Sequence, residues 1–194
     1  MSTFILYMRL GYRHVLDIYG VDHMLFIIAL LAIYLLRDWR RALFLFLFYV
    51  LGNSITLSLS VYEIINVNIN IIDYLIPVTI FFAATINIFK KHDSYTPRSI
   101  FRPSIAFVFG LIHGFGFADY LKDIFGADHN LAVPTMGFNL GIEMGLLLVA
   151  FIFLMVSWIF VNNLGVSRRD WNLVISSGIA GIALTLMFES RYWL

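Results

Sequence analysis

The residues of this chain that could do chemistry are few, and they interrupt runs of apolar side chains. His14-x-x-Asp17 and Asp22-His23 stand near the start, Asn53-Ser54 and His113 sit inside hydrophobic stretches, and Asn139-x-x-x-Glu143 shares one helical face by its spacing of four. Imidazole with carboxylate suits a first-row divalent ion such as nickel, cobalt or zinc. The chain has no cysteine, which excludes thiolate ligands, disulfides and cysteine nucleophiles, and its seven methionines offer only thioethers. An ionisable side chain at the centre of a membrane span costs about 2.5–3.5 kcal/mol on insertion scales, so a chain that keeps several there is expected to use them.

Each of these groups also has a structural reading. Asp22 precedes an apolar run and makes a good helix N-cap, a role compatible with ligation. Glu143 is the deepest carboxylate; it is expected to be a ligand or proton carrier, the alternative being a carboxyl that only hydrogen-bonds Asn139 or a backbone carbonyl. His113 lies between Gly110 and Gly114, a small-xxx-small face that admits a close helix, and Gly137, Gly141 and Gly145 make a second such ridge. If the two ridges meet each other or close neighbours, His113 approaches Glu143. Asn53 and Ser54, with Thr56 and Ser58, form a polar seam that serves interhelical bonding as readily as a site. Asp119 falls toward one end of its span, Asn87 reads as structural, and His92 and His129 read as loop residues.

The elements that must position these groups are helices. Hydrophobic residues make up 61% of the 194 and charged residues 13%, against about 25% charged in soluble domains. The fold class is therefore all-α, a polytopic transmembrane bundle forming one integral-membrane domain over residues 1–194. Six spans are expected: Val21–Leu36, Ala42–Tyr62, Ile71–Phe89 with Pro77 inside, Pro103–Leu121, Pro134–Val161 and Trp171–Phe188. Before them, Met8, Tyr12, Val15, Leu16 and Tyr19 share one face, with Arg9, Arg13 and Asp17 beside it. Residues 1–20 thus form a short amphipathic helix, either lying on the outer surface or dipping into the bilayer. Thr3–Met8 is apolar but no small-residue cleavage site follows, so the segment is read as retained.

Arg37, Arg40, Arg41, Lys90, Lys91, Arg98, Arg102, Arg168 and Arg169 all fall in loops on one side, nine of the thirteen Lys and Arg. The positive-inside rule places that side in the cytoplasm and both termini outside the cytoplasmic membrane. Trp39, Trp171 and Trp193 lie near span ends, as interfacial anchors do. The polar groups then concentrate between the outer surface and the midplane. A net charge of +1 with no basic block gives no nucleic-acid signal.

Taken together, these segments resemble the HupE/UreJ family of membrane proteins. The matching pieces are Gly11-Tyr-Arg-His14 leading to Asp22-His23-Met-Leu-Phe26, then Gly52-Asn53-Ser54-Ile-Thr-Leu57, Phe109-Gly-Leu-Ile-His113-Gly-Phe-Gly-Phe117 and Phe138-Asn139-Leu-Gly-Ile-Glu143. Their order and spacing cover almost the whole chain. The resemblance implies a hydrogenase or urease accessory protein that takes up nickel as a secondary permease, or cobalt or another metal in some members. It also implies that His14, Asp22, His23, His113 and Glu143 match the family's motif positions. Two departures stand out: the family usually has a histidine where this chain has Asn53, and the spacing from His14 to Asp22-His23 is wider than in the commonest form.

The expected function is a permease or binding protein for a divalent transition metal. His14, Asp22 and His23 capture the ion at the outer mouth, His113 and Glu143 receive it, and Asp17, Asn53, Ser54, Asp119 and Asn139 are auxiliary. No catalytic residue is assigned. The rival reading is an intramembrane zinc hydrolase with Glu143 as general base and Ser54 as auxiliary, although no H-E-x-x-H pattern is present. A tight three-histidine zinc site would favour it. A further rival is a non-transporting accessory subunit. Expected partners are the metal ion and the lipid bilayer, with a homo-oligomer and metalloenzyme maturation proteins left open.

Overall fold

The computed structural model describes residues 2–17, 21–89, 101–125 and 131–190. Among them lie seven α-helices and no strand: α1 (Thr3–Leu16), α2 (Val21–Leu31), α3 (Trp39–Val61), α4 (Ile69–Ile88), α5 (Phe101–Phe125), α6 (Ala132–Trp158) and α7 (Arg168–Glu189). A 3-10 turn, Leu36–Asp38, leads into α3, and a π-helical turn, Ile159–Asn163, extends α6. Side-chain caps fix several starts. Ser2 accepts the Ile5 N–H at 3.4 Å, Asn68 the Asn70 N–H at 3.0 Å and Ser167 the Asp170 N–H at 3.1 Å. His92, Lys90, Lys91, Arg98, His129, Arg191 and Trp193 lie outside the described residues.

Helices α3 to α7 are each long and apolar enough to cross a membrane. Large apolar side chains such as Leu51, Phe151, Val174 and Phe188 face outward, more than half exposed, an arrangement stable in lipid and costly in water. The first expected span needs revision. α2 has 11 residues, a rise of about 16 Å against a hydrocarbon core of about 30 Å, and the helix stops at Leu31 rather than Leu36. Only together with α1, from which it is bent by 70°, is it long and apolar enough to cross a membrane.

Glycine contacts show how that pair is placed. A Cβ on Gly137 would meet the Phe4 carbonyl, one on Gly141 the Met8 carbonyl, and one on Gly145 the Val15 side chain. α1 therefore runs parallel to α6, against its backbone, from α6's first turns to its middle. α2 continues from there: His23 lies beside Phe117, and the Ala29 carbonyl accepts Asn87 Nδ2 at 2.6 Å near the end of α4. Of the two placements open for residues 1–20, entry into the bundle is the one this packing favours. α1 and α2 together have the length and composition of a broken span or a re-entrant loop, so with α3–α7 the described residues hold five to six segments that could span a membrane.

The same glycine device locks α3 to α5. A Cβ on Gly52 would strike the Phe107 carbonyl, and one on Gly110 the Tyr49 carbonyl. Gly114 likewise has no room beside Asn53 and Thr56. The two glycine ridges thus pack on α3 and α1 and not on each other. At the opposite end, Asn87 ties four helices together: besides Ala29 of α2, its side chain accepts Arg102 of α5 at 3.1 Å, and its carbonyl accepts Asn172 of α7 at 2.8 Å. Arg168 pairs with Asp38 nearby. This end carries Arg37, Arg40, Arg41, Arg102, Arg168 and Arg169 at the starts of α3, α5 and α7 and is called the basic end below. Trp171, expected at an interface, is instead buried: its indole donates to Ser157 at 3.1 Å and stacks on Phe160.

Candidate metal path

Burial decides which polar residues matter. Helix α1 brings His14 into the bundle in its last turn, α2 carries Asp22 and His23 in its first turn, and the middle of α5 carries His113. The ring centroids of His14 and His23 are 5.7 Å apart, as are those of His23 and His113. Three imidazoles from three helices thus form a row with His23 in the centre. Aromatic rings sheathe it: Tyr120 and Phe117 lie 4.0 and 5.6 Å from His14, Phe117 lies 4.0 Å from His23, and Phe26 lies 4.5 Å from His113. His14 is half-buried, His23 is 4% exposed and His113 is sealed.

Of the row, His14 lies at the carboxy-terminal end of α1, His23 at the amino-terminal end of α2 and His113 in the middle of α5, so only His14 sits at a helix end of negative partial charge. The carboxy-terminal end of a helix carries partial negative charge, and discontinuous helices in transporters use such ends to hold cations. Asp22 adds a full carboxylate. Its Oδ1 accepts the His23 backbone N–H at 2.9 Å and lies 3.7 Å from His23 Nδ1. Asp22 is the second residue of α2 and not its N-cap, as was expected, and its bond to the adjacent amide is not the N2 or N3 contact a cap makes. The position is not the expected mouth of a first span but the break between α1 and α2. Asp17, at the end of α1, and Asp119, on α5, are exposed.

His113 has a defined partner that the sequence did not suggest. Thr79 Oγ1 lies 2.9 Å from His113 Nε2 and donates to the Ile76 carbonyl at 2.7 Å. In the tautomer with its hydrogen on Nε2, His113 donates to Thr79 Oγ1 while the threonine proton stays on the Ile76 carbonyl. His113 Nδ1 is then a bare lone pair, and it has no partner. Fixing one ring nitrogen so that the other is free to ligate is how metal-binding histidines are held. Sequence offered one signal: Thr79 follows Pro77 by two residues, and a hydroxyl in an apolar span merits scrutiny.

Glu143 belongs to a different group. Its Oε1 accepts Asn139 Nδ2 at 2.6 Å and lies 3.1 Å from Ser54 Oγ, while Asn139 Nδ2 also donates to Ser54 Oγ at 2.9 Å. Ser54 additionally reaches the Val50 carbonyl at 2.8 Å. The expected meeting of His113 with Glu143 does not occur, because the glycine ridges that were to bring α5 and α6 together pack on other helices. Among the described residues no ion pair joins Glu143 to a histidine. Nor do three of His, Asp or Glu gather among those residues in a way that could hold a metal ion; the histidines stand in a row and not in a closed cage.

Five buried polar atoms have no partner among the described residues: Nδ1 of His23, Nδ1 of His113, the Tyr49 hydroxyl, and both Nδ2 and Oδ1 of Asn53. An orphaned buried polar atom costs about 1–3 kcal/mol, so five together are a substantial expense for a fold to retain.

The fold and this interior define an α-helical, polytopic integral membrane protein with an imidazole-lined core. The family model for the HupE / UreJ protein matches residues 1–192, and the chain belongs to the HupE/UreJ family. No curated protein and no solved structure matches the chain.

Proposed function

We propose that the protein is a permease for a divalent transition-metal ion, nickel, cobalt or zinc, that moves along the histidine row. The observation carrying this reading is the row itself: three imidazoles on α1, α2 and α5, each 5.7 Å from the next, with ring nitrogens of His23 and His113 buried and unpartnered. A cation would supply the partner both nitrogens lack. Family membership supports a metal transport or accessory role. Under the positive-inside rule the basic end faces the cytoplasm, so the ion enters where α1 begins, meets His14 and Asp22, and passes through His23 to His113. The carboxylate of Asp22 offsets charge that neutral imidazoles cannot.

The zinc-hydrolase reading would need a tight three-ligand cage, and the row does not supply one. The test is uptake of nickel, cobalt and zinc into vesicles holding the purified protein. Wild type should accumulate one of them, and His23→Ala should abolish uptake with protein level and melting temperature retained. Equal uptake by the two would reject the row as the route.

A further inference from the structure

The unpartnered atoms extend beyond the histidine row. Tyr49 and Asn53 are one helical turn apart on α3 and so share a face. The Tyr49 ring lies 5.7 Å from that of His113, edge-on, and 4.9 Å from Phe26. The backbone of Asn53 packs against Gly110 and Gly114, the residues flanking His113. Tyr49 is fully buried and Asn53 is 1% exposed, yet the phenol oxygen and both amide atoms have no partner. In a well-packed interior such groups are bonded to protein, to water or to an ion, and the Tyr49 ring and the Asn53 backbone both lie against the part of α5 that carries His113. The glycine contacts hold α3 and α5 too close to relax away from it.

We propose that Tyr49 and Asn53 form an inner station for the divalent ion, next to His113 and toward the basic end, in which a phenol oxygen, an amide oxygen and His113 Nδ1 replace hydration. This deepens the permease reading and rests on it for the identity of the ligand. All three donors are neutral, unlike the first station with Asp22. An ion here lacks a compensating charge, so the station binds weakly and releases quickly, as the inner step of a transport path must.

Two substitutions remove the donors without removing volume: Tyr49→Phe deletes one hydroxyl and Asn53→Leu replaces the amide by an apolar isostere. If the groups were structural only, or bonded to trapped water, each variant would be at least as stable and would transport like wild type. The proposal expects the maximal rate of nickel uptake to fall about tenfold, as loss of a supporting ligand typically does, with half-saturating nickel and melting temperature unchanged. At saturating nickel, equilibrium dialysis should show one fewer bound ion per chain in each variant. Equal stoichiometry overturns the inner station whether or not uptake is seen, and so does an unchanged maximal rate in a transporting protein. Failure of wild type to move any of the three metals counts against the permease reading alone.

Discussion

Two polar groups are built into the apolar interior, and they are finished differently. In the Ser54–Asn139–Glu143 group, the donors of Asn139 are shared between the serine oxygen and the carboxylate, and the serine proton has a carbonyl within reach. In the His23–His113–Tyr49–Asn53 group, five buried atoms have no hydrogen-bond partner among the described residues, and only His23 Nδ1 has a charged group near it, Asp22 Oδ1 at 3.7 Å. The first group closes on itself across the contact between α3 and α6. The second spends the cost of dehydration without return. In a bilayer no solvent repairs an unmade bond, so under the permease reading that contrast would separate polar residues that hold helices together from those that take a ligand. Glu143, expected from its depth to be a ligand or proton carrier, hydrogen-bonds within the group that joins the glycine-locked pair α3–α5 to the pair α1–α6.

The largest effect should come from the open group. His113→Leu removes a lone pair with no partner and fills the space with carbon. Nickel affinity, measured calorimetrically on the purified protein, should fall about a hundredfold, the upper end for losses around metal ligands, while the melting temperature stays level or rises. A melting temperature that drops with affinity intact would make His113 a core residue and erase the contrast between the groups. A smaller effect is expected one bond further out. Thr79→Val keeps the shape of the side chain but removes the oxygen that holds His113 Nε2–H, so the ring can place its hydrogen on either nitrogen. Affinity should fall about tenfold, and Thr79→Ser should restore it. Valine binding nickel as well as threonine would show that the tautomer is not fixed from α4.

Much of the fold was legible because long apolar runs in a chain with 13% charged residues leave few alternatives to membrane helices. The candidate residues, His14, Asp22, His23, His113 and Glu143, stood out in the sequence as ionisable groups in or beside apolar runs, and the structure places the three histidines in one row. Three features were hidden for physical reasons. The polar stripe of Arg9, Arg13 and Asp17 is equally compatible with a surface helix and with half of a broken span, and only packing against the glycines of α6 separates them. A glycine ridge announces close approach without naming the partner, which is why His113 and Glu143 were expected to converge. Thr79 and Tyr49 looked like ordinary members of apolar helices, because a hydroxyl reveals its role only through what it touches or fails to touch. Trp171 shows the same limit: position near a helix end suggested an interfacial anchor, whereas Ser157 supplies its indole with a buried partner.

The smallest effect should fall on Glu143, and it is the sharpest test of the comparison. Glu143→Gln retains an oxygen that can accept Asn139 Nδ2 where Oε1 does so now at 2.6 Å, so the loss is at most that of a single hydrogen bond, about 1 kcal/mol. A closed structural group therefore predicts a slight fall in melting temperature and nickel affinity within about threefold of wild type, since Glu143 shares no partner with His23 or His113. A ligand carboxylate predicts the reverse: stability retained and affinity lost as in His113→Leu. That second pattern would mean that the bonds from Ser54 and Asn139 are exchanged for an ion in another arrangement of the two helix pairs, and that the group finished here is a latch across the path instead of a fixed brace beside it.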